Sequence, residues 1–191
     1  MKTERDIIAC VLAGETRQYA LLVDRYKDRA FTFASHLLVN REEAEETVQD
    51  AFVRAFRSLA DFRHDAQFGT WFYRILYNAC MTRVSRRRPG MVPLDDLESG
   101  AMDSVVGQEV LSALDEVAAG ERVDVMYAEM EKLPEQFRAV LVMFYVQEQR
   151  YEEMATILDV PVGTVKTHLF RARALLRKRM MKRFAEEMRA A

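Results

Sequence analysis

Residues 151–179 read YEEMATILDVPVGTVKTHLFRARALLRKR, and this stretch predicts two helices joined by a short turn. Apolar side chains at helical spacing place the first helix over 151–158. Pro161 and Gly163 fill the turn, and Thr164 is the expected N-cap of the second helix. A helix, a short turn that contains glycine and a second helix make up the helix-turn-helix, so we predict that motif here.

The second predicted helix separates an apolar face from a basic one. At about 100° per residue, four apolar side chains fall on the side that should face the core: Val165, Leu169, Ala172 and Leu176. The remaining surface carries Lys166, Thr167, Phe170, Arg171, Arg173, Arg177 and Lys178, and a solvated position is expected for His168. Lys, Thr and Arg near the start of such a helix can donate hydrogen bonds to base edges and phosphates. We therefore favour binding of duplex DNA over an ordinary basic surface helix.

A second segment, residues 61–88, combines aromatic and basic residues: DFRHDAQFGTWFYRILYNACMTRVSRRR. A helix is predicted over about 69–85, in which Arg74, Asn78 and Thr82 recur every four residues and so share one face. Aromatic rings beside an arginine cluster suit the recognition of unpaired bases. For the rings themselves, packing in a core helix with a solvated basic end is the favoured interpretation.

Composition favours helices along the whole chain. Only 7 glycines and 4 prolines occur in 191 residues, and strong helix formers such as Leu, Ala, Met, Glu and Arg are abundant. Apolar residues recur at helical spacing before residue 61, where Asn40 and Glu43 have the spacing of a capping box. We predict an all-α fold with a helical domain over 1–89, a linker over 90–121 and a helix-turn-helix domain over 122–191.

The net charge of −2 conceals a strong local asymmetry. Residues 162–189 carry nine Lys and Arg against two acidic residues, whereas residues 95–131 carry eleven Asp and Glu against one arginine, Arg122. Acidity and repeated glycines predict a flexible acidic linker between the domains. One or two amphipathic turns are expected within it, over 106–117.

Several classes of protein are disfavoured by what the sequence lacks. Cys10 and Cys80 are far apart and lie in helical patterns, so we expect reduced, buried thiols. No glycine-rich phosphate loop, nucleophile motif or metal-ligand spacing is present, and we expect neither an enzyme nor a cofactor. No apolar run approaches the roughly 18 residues of a membrane span. The charged N-terminus is unlike a secretory leader, and a cytoplasmic location follows as an expectation.

The two informative segments together resemble a known family. AEETVQDAFVRAFRSLADFRHDAQFGTWFYRILYNAC and LPEQFRAVLVMFYVQEQRYEEMATILDVPVGTVKTHLFRARALLRK, in this order and separation, resemble the extracytoplasmic-function (ECF) sigma factors of bacterial RNA polymerase. The similarity covers nearly the whole chain except the linker. It implies a factor that binds core RNA polymerase, reads the −35 element of promoter DNA as duplex and the −10 element as melted single strand, and is controlled by an anti-sigma factor.

The resemblance also implies roles for three sets of side chains. A helix over 42–59 would dock on the polymerase clamp through Gln49, Asp50, Arg54 and Arg57. The −10 element would be contacted by Phe62, Arg63, Arg74, Asn78, Arg86, Arg87 and Arg88, with Phe62 and Asn78 holding a flipped base and arginines holding phosphates. The −35 element would be read by Lys166, Thr167, Phe170 and Arg171. The acidic linker either lies in a channel meant for RNA or is simply solvated.

Two other classes of function remain open from the residues alone. A conventional helix-turn-helix regulator would bind duplex DNA unaided, but it leaves the aromatic segment without a role. A sigma-like decoy that sequesters an anti-sigma factor would bind its partner without directing RNA synthesis.

Overall fold

A computed structural model describes residues 2–38, 40–87 and 123–190 of the chain. Arg88 and the linker predicted over 90–121 lie outside the described residues. Within these residues the structure contains no strand, and its α-helices are α1 Glu4–Leu12, α2 Tyr19–Leu37, α3 Arg41–Arg57, α4 Phe68–Arg87, α5 Val123–Met130, α6 Glu135–Leu141, α7 Tyr151–Leu158 and α8 Val162–Ala190. The all-α prediction is confirmed.

Two of the first four helices, α1 and α3, begin at capping residues that the sequence supplies. Thr3 caps α1 by accepting a hydrogen bond from the backbone of Asp6, whose side chain bonds back to Thr3. Gly14 follows α1 with a φ of 103°, a conformation that glycine adopts without strain. Asn40 caps α3 through bonds from the amides of Glu42 and Glu43, as the sequence predicted for this position.

An aromatic core holds α2, α3 and α4 together. Phe33, Phe68 and Phe72 are fully buried, and the ring of Phe72 stacks on that of Phe52 with centroids 4.4 Å apart. Burial of each such ring contributes on the order of 2–3 kcal/mol through the hydrophobic effect. This core therefore fixes which faces of α3 and α4 remain exposed.

The helices after the linker form a second core around α8. Its predicted apolar face is confirmed, since Val165, Leu169, Ala172 and Leu176 are all buried. A buried carboxylate, Glu129 of α5, adds polar contacts to this core. Its carboxylate accepts hydrogen bonds from Lys132, just after α5, and from Arg179 and Arg183 of α8. The two arginine contacts join α5 to α8.

The two helical units pack directly on each other, with α4 against α7 and α2 against α6. At one end of this interface His36 of α2 stacks on Tyr127 of α5, with ring centroids 5.2 Å apart. Nearby, Arg138 donates a hydrogen bond of 3.2 Å to the carbonyl of Leu37, an acceptor left open by the end of α2. The contact surface thus contains polar as well as apolar groups.

We predict that acid weakens the folded state through His36. Burial lowers the pKa of His36 below its ordinary value of 6.5, while Glu131 raises it and Arg138 lowers it further. Because the folded chain binds this proton less tightly than the unfolded chain, stability falls as the pH drops through and below that ordinary value. Urea unfolding at about pH 7.5 and pH 5.5 should show a smaller acid-induced loss in His36→Phe than in the wild type. The exposed His64 provides the control, and equal losses in wild type, His64→Asn and His36→Phe would contradict the assignment.

Candidate nucleic-acid interface

The predicted helix-turn-helix is formed by α7 and α8. Asp159 ends α7 in the left-handed conformation, with a φ of 59°. The expected N-cap at Thr164 is wrong, because α8 already begins at Val162. The carbonyl of Pro161 accepts hydrogen bonds from the amides of Thr164 and Val165, so the first turn closes three residues earlier than the sequence suggested.

The four predicted −35 residues lie along the solvent side of the first turns of α8. Lys166 is exposed, and its ammonium lies 5.8 Å from the ring centroid of Tyr151. Thr167 is half-buried and its hydroxyl donates to the carbonyl of Gly163, whereas Phe170 and Arg171 are half-buried. This end of the helix therefore presents an ammonium, a hydroxyl, a guanidinium and an aromatic ring on one side of the motif.

Two residues expected on the surface of α8 are buried instead. Arg173 is 6% exposed, because its guanidinium packs 4.7 Å from the ring centroid of Phe144 and donates to the hydroxyl of Tyr145. His168 is 8% exposed. The burial of Arg173 has a clear origin: a π-helical turn, Val142–Val146, carries the rings of Phe144 and Tyr145 against α8, and helical periodicity within α8 gave no sign of it.

We predict that Arg173 stabilises the fold. Arg173→Ala removes a cation–π contact and a hydrogen bond from a buried site, so the free energy of unfolding should fall by about 2 kcal/mol. Lys178→Ala, at an exposed position of the same helix, should change it by less than about 0.5 kcal/mol. Chemical denaturation measures both values, and equal effects of the two substitutions would contradict a buried role for Arg173.

The predicted −10 residues divide between a loop and the exposed face of α4. Phe62 is 9% exposed, and its ring packs on those of His64 and Trp71 with centroids 4.5 and 5.1 Å away. Its edge lines a cavity of about 500 Å³ formed by residues 62–68 together with α1 and α7. Arg63 next to it is exposed. Cavities of this size accommodate small-molecule groups such as a nucleobase.

The exposed face of α4 carries the polar residues that the sequence aligned. The amide of Asn78 is exposed, and the hydroxyl of Thr82 donates to the carbonyl of Asn78. Arg74, one turn earlier, donates a hydrogen bond of 2.8 Å to the carboxylate of Asp159. Asn78 therefore faces solvent, while Arg74 is engaged by the other helical unit.

The basic end of α4 is partly neutralised by α3. Arg87 forms an ion pair with Glu43, and Arg83 forms pairs with Glu46 and Asp50. Arg86 is exposed at the same end. These pairs join residues about 40 positions apart, so helical periodicity gives no sign of them.

The four residues predicted to bind a clamp are all exposed on α3: Gln49, Asp50, Arg54 and Arg57. Two apolar residues share this side of the helix, Val53 at 47% exposure and Phe56 at 39%. Both border an apolar groove against α2 that Tyr19 and Val23 also line. Exposed apolar residues beside charged ones are typical of protein-binding surfaces.

Other kinds of site find little support in residues 2–38, 40–87 and 123–190. No group of His, Cys, Asp and Glu is arranged there to hold a metal ion, and no helix there is long and apolar enough to cross a membrane. Cys10 and Cys80 form no disulfide. Cys80 is buried as predicted, whereas Cys10 is half-buried.

Comparison with known proteins matches both helical units. Residues 22–89 match Sigma-70 region 2, and residues 124–176 match Sigma-70 region 4. These two matches define a sigma-70-type transcription factor, a class that is not enzymatic.

Relatives narrow the class to one family. The chain is 33% identical over 173 residues to the ECF RNA polymerase sigma factor SigW of Bacillus subtilis, covering 89% of this chain and 92% of that protein. It is 32% identical over 174 residues to the ECF RNA polymerase sigma-E factor of Escherichia coli K12, covering 90% and 91%. The chain belongs to the ECF sigma factors.

Solved structures agree in fold. CnrH, solved in complex with the cytosolic domain of CnrY, superimposes with a TM-score of 0.66 at 24% identity, covering 95% of this chain and 99% of that one. The sigma factor RpoE of Bartonella quintana, solved in complex with the anti-sigma factor NepR, superimposes with a TM-score of 0.58 at 21% identity, covering 87% and 97%.

Proposed function

We propose that this sigma factor binds core RNA polymerase in the cytoplasm and directs initiation at promoters by reading two DNA elements in different states. The domain over 122–191 reads the −35 element as duplex, and the domain over 1–89 reads the −10 element as melted single strand. The main support is that each unit carries its own polar face, one on the first turns of α8 and one on α4, on a helix that buried apolar residues anchor to its core.

Recognition of duplex DNA is supported by the first turns of α8. A helix-turn-helix inserts the start of its second helix into the major groove, where side-chain donors meet base edges. Lys166 and Arg171 supply such donors, and Thr167 offers a hydroxyl. The partly exposed ring of Phe170 is suited to contact with a thymine methyl group.

Recognition of melted DNA is supported by the loop over 62–67 and by α4. An unpaired base can leave the stack and occupy a protein pocket, where stacking and edge hydrogen bonds identify it. Phe62 lines a cavity of suitable size, and Asn78 offers an exposed amide for a base edge. Arg63, Arg74, Arg86 and Arg87, with Arg88 beyond the described residues, are proposed to hold backbone phosphates.

Docking on polymerase is assigned to α3. Gln49, Asp50, Arg54 and Arg57 lie beside the exposed side chains of Val53 and Phe56, which gives an apolar patch next to a charged one. That arrangement is typical of protein interfaces. An anti-sigma factor is proposed as a further partner, in keeping with the complexes in which sigma factors of this fold have been solved.

Transcription in vitro with core polymerase and a genomic template library tests the DNA assignments. Asn78→Ala should change the preferred −10 sequences, and Lys166→Ala should weaken dependence on the −35 sequence, each by about 1–3 kcal/mol of discrimination. Gln18→Ala, an amide of the same domain outside α4 and the loop before it, and Lys178→Ala, at an exposed position of α8, are the controls. Start-site preferences that are the same for Asn78→Ala and wild type would refute the role of that residue.

Binding of core polymerase tests the role of α3. Arg54→Glu reverses a charge beside the apolar residues of the proposed surface and should weaken the complex at least about tenfold, because like charges at an interface cost several kcal/mol. Arg41→Glu makes the same change at the start of the same helix, outside the surface, and should have little effect. Fluorescence anisotropy of the labelled chain titrated with core enzyme gives both affinities, and an equal loss in the two variants would reject the surface. Tight binding of the chain alone to its promoter duplex would instead favour an ordinary regulator.

A further inference from the structure

The first helix supplies one wall of the cavity that Phe62 lines. Glu4 and Ile8 of α1 border this cavity together with residues 62–68. Ile8 is buried, whereas the side chain of Glu4 keeps 26% of its surface exposed. Helix α1 also packs on the short 3₁₀ turn Leu59–Asp61, which comes directly before Phe62. Because α1 and the loop belong to the same helical unit, this wall is an integral part of the cavity.

The carboxylate of Glu4 is held in place by α2. Its Oε1 accepts a hydrogen bond of 2.6 Å from the hydroxyl of Tyr26 and another of 3.3 Å from the guanidinium of Arg25. Burial raises the pKa of Tyr26, so its hydroxyl stays protonated and donates at neutral pH. Both contacts end on Oε1, and Oε2 has no hydrogen-bond partner among the residues that the structure describes. This second oxygen is therefore available to a group that enters the cavity.

Tyr26 is in turn fixed by the start of α4. Its ring packs on that of Phe68 with centroids 5.6 Å apart. A Cβ atom at Gly69 would come within 2.9 Å of the Tyr26 hydroxyl oxygen, so a larger residue there would displace the ring. Phe68 also packs on Phe62, with centroids 6.0 Å apart. One aromatic cluster thus positions both the ring of Phe62 and the carboxylate of Glu4.

A carboxylate in the wall of this cavity discriminates among bases. It accepts hydrogen bonds and cannot donate one. Adenine, cytosine and guanine each carry an exocyclic amino group that donates, whereas thymine has no amino group and presents carbonyl oxygens. A thymine would therefore set its oxygens against the carboxylate, and an unfavourable contact of this kind is a common source of specificity. The guanidinium of Arg25 offsets the charge of Glu4, which reduces its repulsion of the DNA backbone.

We propose that Glu4 is a specificity-determining residue for the −10 element. Its Oε2 accepts a hydrogen bond from the exocyclic amino group of an unpaired base that stacks on Phe62, and thymine is disfavoured at that position. Tyr26 acts through Glu4 and is a positioning residue. Helix α1 precedes the residues that match Sigma-70 region 2, so this role is additional to those assigned above. The inference rests on the proposed function, because it requires an unpaired base to enter the cavity.

Selection of DNA by the full-length chain assembled with core polymerase tests this role. The template is a promoter fork, found by mapping start sites, whose upstream part is duplex and whose −10 strand is unpaired and randomised. Bound molecules are sequenced for the wild type, Glu4→Gln, Tyr26→Phe and Glu15→Gln. Glu15 is an exposed carboxylate just after α1 that does not line the cavity, so Glu15→Gln is the matched control. Glu4→Gln keeps an oxygen that can accept the Tyr26 hydrogen bond, so it retains the fold.

The expected result is a depletion of thymine at one position of the unpaired strand in the wild type and in Glu15→Gln. Glu4→Gln should reduce that depletion by about tenfold, because an amide can donate to a thymine oxygen. Preferences at the other positions should stay the same. Tyr26→Phe should reduce the depletion at the same position by a smaller factor, since the carboxylate remains but loses the hydrogen bond that orients it.

Removal of the amino group from the selected base gives a second measurement. Purine in place of adenine, pyrimidin-2-one in place of cytosine, or hypoxanthine in place of guanine lacks that group. The wild type should bind the altered fork about tenfold more weakly than the natural one. Glu4→Ala, which has no acceptor, should bind both forks with nearly equal affinity, as a double-mutant cycle requires for two groups in contact.

Several outcomes would overturn the role of Glu4. These are base preferences without depletion of thymine at any position, the same depletion in the wild type and Glu4→Gln, and an equal loss of all four bases in Glu4→Gln. The last outcome would show that Glu4 acts only on the fold. An unaltered depletion in Tyr26→Phe would refute the positioning role of that residue. A wild type without any base preference in the unpaired strand would instead refute the proposed function, which is a distinguishable failure.

Discussion

Helix α4 is packed on three sides, and this constraint shapes the rest of the molecule. Its aromatic residues fill the core against α2 and α3, and another side meets α7 of the second unit. Before its exposed C-terminal end, α4 opens to solvent along a strip that includes Asn78 and Thr82. Because the core fixes the orientation of α4, it also fixes where the amide of Asn78 points and where the loop that carries Phe62 emerges. The position of the proposed single-strand site is thus a consequence of hydrophobic packing rather than of local polar contacts.

In the second unit, too, buried apolar residues fix which face of a helix is exposed. Four apolar residues of α8 anchor it, and the first turns of that helix extend towards solvent with Lys166 leading. Duplex DNA needs a protruding, convex helix that enters a groove, whereas an unpaired base needs a concave pocket with a ring in its wall. The chain offers one of each. The two units are joined by a polar contact in which the side-chain oxygen of Gln147, in the second unit, accepts hydrogen bonds from Arg29 and Tyr73 of the first.

Much of this could be predicted from the sequence, and the exceptions have a common cause. The bounds of α7 were predicted to the residue, because its apolar spacing and the following turn are local signals. The buried face of α8 was equally clear. Arg173 was misplaced, since its partners Phe144 and Tyr145 lie on a segment whose π-helical geometry periodicity does not reveal. His168 was expected to be solvated and is buried. Thr164 was misplaced because Pro161 closes the helix earlier.

The contacts between the two units could not be predicted from the sequence either, because they join residues that are far apart along the chain. Gln147 and Arg29 are 118 residues apart, and nothing local marks either as a partner of the other.

Footprinting of polymerase complexes tests directly whether the chain reads one DNA element as duplex and the other as melted single strand. Hydroxyl radicals map the protected backbone, and permanganate marks unpaired thymines. We expect the chain to protect an upstream duplex segment and to make a separate downstream segment reactive to permanganate. Both effects should require core enzyme. A single protected duplex segment produced by the chain alone, with no reactive thymines on adding polymerase, would contradict it.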